Sequence, residues 1–278
     1  MSLMLKLLAP TLLLSSFLQA STSSENIENF LKKQFAGNSN IVKVKVVVEQ
    51  TIPLEKVKEW NAYIVVVDAT VKAKKGTREL KQKMIWFSNG ETISPDLIDI
   101  KTGNSLKESV SPSMQANFYK KENLIYGNAD AKHKVAIFSD PLCPFCRDFV
   151  PDAINTMKKD PNKFAVYYYH FPLPAIHPAA VTLVHAAVAA EIKGLKDVVL
   201  NLYTVEIDAQ ETDTKKILKA FNKTMKTNIT ADDLKSKAVL EHIKSDLHIA
   251  DALMVRGTPT MFFDGKVDKK RTKFEEAK

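Results

Sequence analysis

Residues 132–146 read KHKVAIFSDPLCPFC, and this stretch decides how the rest of the chain is interpreted. Its segment KVAIFS at 134–139 is a nearly continuous apolar run, which is typical of a strand buried on both faces of a sheet. Asp140-Pro141 ends the strand, and residues 147–159 are predicted to be helical. A pair of cysteines two residues apart therefore follows a buried strand and opens the next helix.

The two cysteines of the chain, Cys143 and Cys146, form this pair. Residues i and i+3 are neighbours on a helix, so the two thiols lie close enough for a disulfide. The first cysteine lies among unpaired backbone N–H groups at the positive end of the helix dipole, which favours its thiolate. The sequence predicts Cys143 as the nucleophile, Cys146 as the more shielded resolving thiol, and Cys143–Cys146 as a redox-active disulfide.

Pro144 and Phe145 lie between the cysteines and are predicted to tune the redox couple. Pro144 removes a backbone donor and stiffens the turn, whereas Phe145 adds no charge and no polar group. A disulfide across so short a loop contributes only about 2 kcal/mol, so a purely structural role is a poor use of the spacing. An inert disulfide and a metal-binding pair shared across a dimer stay open as alternatives. The count excludes a four-cysteine zinc site, and we expect no metal and no cofactor.

The second half of the chain continues as alternating strands and helices. KFAVYYYHF at 163–171 predicts a second buried strand, and residues 260–263 predict a third. Residues 178–250 between them are read as a largely helical insertion. Strand, CxxC helix, strand, helical block and strand form an α/β arrangement of the βαβ type, so we place an α/β domain at 124–278.

Thr258-Pro259 precedes the last strand of this domain. A proline at this position is able to hold a cis peptide bond, which only X–Pro bonds tolerate at small cost. Such a loop would leave backbone groups free beside Cys143 to pair with an extended substrate. We therefore predict Thr258 and Pro259 as substrate-binding residues.

The first half predicts a different architecture. Thr22 and Glu25 suit the start of a helix, and three segments with alternating apolar residues follow at 41–49, 61–72 and 79–88. A helix before a mainly antiparallel sheet makes a small α+β domain, assigned to residues 21–95. Since a lone sheet of this size has exposed edges, we expect it to pair with a second copy in a homodimer.

Residues 96–123 are rich in turn signals and are assigned to a helical linker. Ser111 and Pro112 suit the N-cap and first position of a short helix that would run to Tyr119.

Residues 1–20 read MSLMLKLLAPTLLLSSFLQA. The apolar run is about 12 residues long, well short of the ~20 that cross a bilayer, so it predicts a signal peptide cleaved near Ala20. An uncleaved membrane anchor is the alternative. The formal net charge is +8, but lysine is spread along the chain and arginine is scarce, so nucleic-acid binding is not expected.

The stretch 132–146 and Gly257-Thr258-Pro259 resemble the thioredoxin-fold domain of the periplasmic thiol:disulfide interchange proteins DsbC and DsbG. The resemblance implies a cystatin-like N-terminal dimerisation domain, a helical linker, and a thioredoxin-fold domain with Thr258-Pro259 as its cis-proline loop. It also implies a dimer in the periplasm that binds misfolded exported proteins containing cysteines and is reset by a membrane thiol reductase or oxidase. HFPLPAIHP at 170–178 resembles the monomeric oxidase DsbA instead.

The predicted function is therefore a periplasmic oxidoreductase that isomerises disulfides in exported proteins. A DsbA-like dimeric oxidase, a non-catalytic chaperone and a carrier of a thiophilic metal are the alternatives. His170 and His177 are read as packed or surface residues, because thiol exchange needs no general base once Cys143 is ionised.

Overall fold

The computed structural model describes residues 14–73 and 76–277, with side chains from residue 24 onward. Residues 1–13 of the predicted signal peptide lie outside the described part. The chain divides into two compact units, Met1–Val110 and Ser111–Lys278. This division lies inside the segment 96–123 that the sequence assigned to a linker.

The N-terminal unit is one helix on an antiparallel sheet. Helix α1 (Leu14–Ala36) precedes strands β1 (Ile41–Pro53), β2 (Asn61–Lys72), β3 (Thr77–Ser88) and β4 (Ile93–Ser94), which pair in the order β1-β2-β3-β4. Alternate residues of the strands face the helix, and the shared core contains Ile27, Leu31, Val44, Val46, Tyr63, Val65, Val67 and Ala69. Period-two patterning thus predicts the strands, although the central strand β2 is buried on both faces from Ala62 to Val67.

The N-terminal boundary of α1 differs from the prediction. The described chain is already helical at Leu14 and continues without a break through Thr22. Thr22 and Glu25 therefore lie inside the helix, and the pattern that suits a helix start does not mark one here.

The predicted helix from Ser111 to Tyr119 is wrong. Its region contains a single 3-10 turn at Ala116–Phe118, preceded by an extended Gln115. The backbone N–H of Met114 instead donates to the carbonyl of Gly265 at 2.9 Å, so a long-range contact replaces the local helix. The rest of the segment 96–123 contains the short helix α2 (Lys107–Val110) and a second 3-10 turn at Lys121–Asn123 rather than a continuous helical rod.

The C-terminal unit contains a five-stranded mixed sheet. Its strands are β5 (Leu124–Tyr126), β6 (His133–Ser139), β7 (Phe164–His170), β8 (Thr260–Phe263) and β9 (Lys266–Val267), in the order β5-β7-β6-β8-β9. The central pair β6 and β7 is parallel, and the other pairs are antiparallel. Parallel neighbours need a crossover connection, which helix α3 (Pro144–Met157) supplies.

The helical block lies between β7 and β8. It contains α4 (Pro178–Ile192), α5 (Val198–Leu202), α6 (Thr214–Met225) and α7 (Lys237–Ala252), and a last short helix, α8 (Lys273–Glu276), follows β9. Helix α4 is alanine-rich and buried on most of its surface, so it forms the centre of this block.

Helix α7 is fixed to β7 through the fully buried carboxylate of Asp246. One carboxylate oxygen accepts from Asn123 Nδ2 at 2.8 Å, and the other accepts from the His170 backbone N–H at 2.9 Å. His242 Nε2 lies 3.6 Å from the second oxygen. Burial lowers the pKa of His242, but the hydrogen bond and charge of Asp246 outweigh it and leave this pKa raised.

We expect Asp246→Asn to destabilise the C-terminal unit by roughly 3 kcal/mol, because an amide cannot accept from both donors and the partner charge is left buried. A histidine with a raised folded pKa stabilises fully below its unfolded value of about 6.5, and this stabilisation is lost as pH rises through the folded pKa. Unfolding in urea should therefore show a larger effect of the substitution near pH 6 than near pH 8. The exposed Glu241→Gln in the same helix is the control, and an equal effect at both pH values would contradict the pairing.

Candidate active site

Cys143 lies at the start of α3, directly after the turn that ends β6. It is the N-cap residue with an extended backbone, and its carbonyl accepts from the N–H groups of Cys146 and Arg147, each at 3.0 Å. Pro144 occupies the first helical position, where a missing N–H costs nothing. The Phe145 side chain is 74% exposed. Cys143 and Pro144 thus begin the helix, and Phe145 exposes its ring to solvent.

The two sulfur atoms lie at different depths. Both cysteines are free thiols; Cys143 is 6% exposed, whereas Cys146 is completely buried. Burial raises the pKa of the Cys146 thiol to about 11, and hydrogen bonds from the Ser139 hydroxyl, the Thr258 hydroxyl and the Asp140 backbone N–H only partly oppose it. Cys146 therefore keeps its proton at neutral pH, and the thiol nearer the surface is Cys143.

The Thr258–Pro259 loop lies next to Cys143. The peptide bond between the two residues is cis, and the Thr258 carbonyl oxygen is 3.7 Å from Cys143 Sγ, within reach of a hydrogen bond from the thiol. The loop is held by a hydrogen bond from Thr260 Oγ1 to the Gly257 carbonyl at 2.7 Å. The structure thus brings the predicted residues Cys143, Cys146, Thr258 and Pro259 to one end of the sheet, although they are more than a hundred positions apart in the chain.

The turn between β6 and α3 is organised by a residue that the sequence analysis did not single out as functional. Asp140 is completely buried, and one of its oxygens accepts from the Leu142 N–H at 2.7 Å. The other accepts from the Leu173 N–H at 2.8 Å and lies 3.1 Å from His177 Nδ1. Asp140 therefore connects the CxxC turn to the loop after β7. His177 is mostly buried, and through Asp140 it contacts the turn that carries the cysteines.

Arg147 connects the first turn of α3 to the helical block. Its Nε donates to the Pro141 carbonyl at 2.9 Å, and one terminal nitrogen donates to the Val205 carbonyl at 2.8 Å. The guanidinium therefore holds the CxxC turn and the segment after α5 together.

A row of three hydroxyl groups links β6, β7 and the segment after α5. Tyr203 donates to Ser139 Oγ at 2.6 Å, and the Tyr168 and Tyr203 oxygens are 2.8 Å apart. Burial raises the pKa of both tyrosines well above the usual value near 10, so both keep their protons over the physiological range. Sequence reasoning missed this row because Tyr203 comes from the helical block and no local pattern links it to the CxxC motif.

The sequence pattern of a protein family described as Thioredoxin matches residues 120–278. A curated relative, the Na(+)/H(+) antiporter NhaA 1 of Mycolicibacterium gilvum (strain PYR-GCK), is 28% identical over 144 residues, which are 51% of this chain. The aligned part covers 23% of that antiporter, so the chain spans less than a quarter of the relative's length.

Three solved structures are similar to part of this chain. A thioredoxin-like oxidoreductase from Silicibacter pomeroyi DSS-3 is 18% identical with a TM-score of 0.46, over 59% of this chain and 95% of that one. Oxidised BdbD from Bacillus subtilis is 19% identical with a TM-score of 0.45, over 60% and 92%. ScsC from Proteus mirabilis in a transitional conformation is 20% identical with a TM-score of 0.42, over 58% and 71%.

Within residues 14–73 and 76–277, no helix combines the length and apolar character that crossing a membrane requires. Over the same described ranges, no group of three or more His, Cys, Asp or Glu side chains is arranged to hold a metal ion.

We expect Asp140→Ala to lower the free energy of unfolding of the C-terminal unit by roughly 3 kcal/mol, since it leaves the Leu142 and Leu173 N–H groups without their acceptor. Alkylation of Cys143 by iodoacetamide should change at the same time, because the turn that carries the thiol loses its support. Urea unfolding and mass spectrometry measure the two effects. Asp148→Ala, an exposed carboxylate on α3, is the control, and equal behaviour of the two variants would contradict the role given to Asp140.

Proposed function

The chain belongs to the thioredoxin family, and we propose that it is a thiol–disulfide oxidoreductase that acts on exported proteins through Cys143 and Cys146. The observation that carries this proposal is the asymmetry of the pair. Cys143 lies at the N-terminus of α3 beside the Thr258 carbonyl, whereas Cys146 is completely buried and protonated. One thiol is placed to meet a substrate and the other to act after it.

The proposed reaction begins with the Cys143 thiolate. It attacks one sulfur of a substrate disulfide, forms a mixed disulfide with that sulfur, and expels the other as a thiolate. Either a second substrate thiolate then attacks the mixed disulfide, which forms a new substrate disulfide and returns Cys143, or Cys146 attacks Cys143 and releases the substrate reduced. The first route isomerises a disulfide, and the second leaves the enzyme oxidised.

Isomerisation is the direction that we propose. The high pKa of Cys146 keeps its thiolate scarce at neutral pH, so the mixed disulfide stays available for attack by a substrate thiol. Oxidation of substrates is the alternative, in which a Cys143–Cys146 disulfide is the starting state and a substrate thiolate attacks Cys143.

Unfolded or misfolded polypeptides with cysteines are the proposed substrates. Phe145 and Ile176 expose 74% and 55% of their surface, and the loop that carries Ile176 is connected to the CxxC turn through Asp140. Exposed apolar side chains next to a reactive thiol favour chains whose own apolar residues are accessible. The Thr258–Pro259 loop is the proposed binding site for the substrate backbone.

We also propose a periplasmic homodimer. The N-terminal sequence of residues 1–20 supports export, and a membrane thiol reductase or oxidase would reset the redox pair. Strand β1 lies at one edge of the N-terminal sheet, where Val42 is 58% exposed, which supports pairing with a second copy through a cystatin-like domain.

Refolding of a scrambled protein with several disulfides tests the activity. We expect Cys143→Ser to reduce the rate to that of the uncatalysed reaction, because no mixed disulfide can form. Cys146→Ser should still isomerise and should accumulate mixed disulfides that non-reducing electrophoresis detects. Equal rates for the wild type and Cys143→Ser would remove the assignment of the nucleophile. A protein that suppresses aggregation without any thiol exchange would instead be a chaperone.

The redox state in intact cells tests the direction. If isomerisation is correct, trapping with an alkylating reagent should find Cys143 mostly as the free thiol, since an isomerase must begin as a thiolate. The measured quantity is the alkylated fraction of Cys143 after rapid acid quenching. A mostly oxidised pair would favour the oxidase alternative.

A further inference from the structure

The Cys146 thiol poses a problem for the resolving step of the proposed reaction. To attack the mixed disulfide, Cys146 must lose its proton in a completely buried site, where burial opposes the thiolate. A thiolate formed there needs hydrogen-bond donors that are already in place, because water does not reach it to solvate the charge.

We propose that the hydroxyl groups of Tyr168, Tyr203 and Ser139 form a directed donor chain that stabilises the Cys146 thiolate as it resolves the mixed disulfide. This inference rests on the proposed function. In it the three residues are positioning residues, because they act on the resolving thiol and do not touch the substrate.

The direction of the chain follows from the number of hydrogens available. Tyr203 donates its one hydroxyl hydrogen to Ser139 Oγ at 2.6 Å, so the hydrogen of Ser139 is free for another acceptor. The Ser139 hydroxyl is one of the groups whose hydrogen bonds lower the pKa of Cys146, together with the Thr258 hydroxyl and the Asp140 backbone N–H. Tyr168, Tyr203 and Cys146 pack in one cluster. The Tyr203 oxygen has in turn a donor in Tyr168, whose oxygen lies 2.8 Å away. Both tyrosine hydroxyls thus donate toward Ser139, and in the proposed chain Ser139 donates to the sulfur.

Burial makes this chain effective. Tyr168 and Tyr203 are 2% and 6% exposed, and Ser139 is completely buried. Hydrogen bonds to a charged acceptor are stronger than neutral ones, and successive donors polarise one another in a medium of low dielectric constant. The tyrosine protons stay on their oxygens, so the chain donates hydrogen bonds without transferring a proton.

The three hydroxyl groups are carried by elements that also form the active site. Ser139 ends β6, Tyr168 lies on the neighbouring β7, and Tyr203 follows α5 in the helical block. Tyr168, Tyr203 and both cysteines belong to one apolar cluster on the same face of the sheet. The helical block thus contributes a polar group directly beneath the CxxC turn.

The step itself balances as follows. Cys146 loses its proton, and its sulfur forms a bond to Cys143 Sγ. The bond between Cys143 and the substrate sulfur breaks, and its electron pair leaves with the substrate sulfur, which takes up a proton to become a thiol. The hydroxyl chain begins and ends the step unchanged.

The test is stopped-flow reaction of the reduced protein with Ellman's reagent. The first equivalent of coloured thiolate reports attack by Cys143, and the second reports resolution by Cys146. We expect Tyr203→Phe to shift the pH profile of the second phase upward by about one unit, which lowers its rate near pH 7 about tenfold. The first phase should change by less than about twofold, because Cys143 does not contact the chain. Ser139→Ala should act more strongly and Tyr168→Phe more weakly.

Tyr169→Phe is the matched control. Tyr169 neighbours Tyr168 on β7, but its hydroxyl donates to the Phe118 carbonyl at 2.7 Å and its ring packs in the core on the other face of the sheet. We expect it to leave both phases unchanged even if it lowers thermal stability as much as Tyr203→Phe. An unchanged profile in Tyr203→Phe, or an equal shift of both phases, overturns the inference.

The outcome for the proposed function is separate. A wild type that shows both phases but does not refold a scrambled protein keeps the donor chain and removes the proposed isomerase. A wild type without a second phase removes the donor chain, whereas the proposed isomerase is removed only if the wild type refolds a scrambled protein no faster than Cys143→Ser.

Discussion

The candidate site depends on the buried carboxylate of Asp140. A charged group with no exposed surface must find its donors inside the protein, and this one takes them from the CxxC turn and from the loop after β7. The position of Cys143 is therefore set by an electrostatic requirement one turn before it. The start of α3, the loop that carries Ile176 and the end of β6 are arranged around the same two oxygen atoms.

Two environments make two different thiols from one residue type. Cys143 lies at a helix N-terminus beside the Thr258 carbonyl and keeps 6% of its surface exposed, and Cys146 lies one turn further along with none exposed. The short spacing brings the two thiols together, and the difference in depth is what the proposed order of reaction rests on. In the proposed reaction, this difference separates the first attack from its resolution.

Local patterns predict the parts of the fold that depend on local physics. The apolar run before CxxC, the alternating strands of the N-terminal unit and the helical block are all read correctly, because burial of one or both faces leaves a period in the sequence. The helix from Ser111 to Tyr119 fails because Met114 bonds to Gly265, which is distant in the chain. The same reason explains why the sequence did not identify the roles of Asp140, Arg147 and Tyr203. Their partners are set by the tertiary fold. The two cysteines and Thr258-Pro259 could be singled out because their motifs are short, and the cis bond and the 3.7 Å contact with Cys143 are what the structure adds.

The helical block contacts the CxxC turn through Arg147 and the end of β6 through Tyr203, and this has a consequence for protein engineering. A chimera that exchanges the block for one from another family member would replace the acceptor at Val205 and the hydroxyl of Tyr203 together. The chimera would then show the redox kinetics of the protein that donated the helical block, even though its CxxC motif is unchanged. A library that randomises only the dipeptide between the cysteines would leave this determinant unsampled.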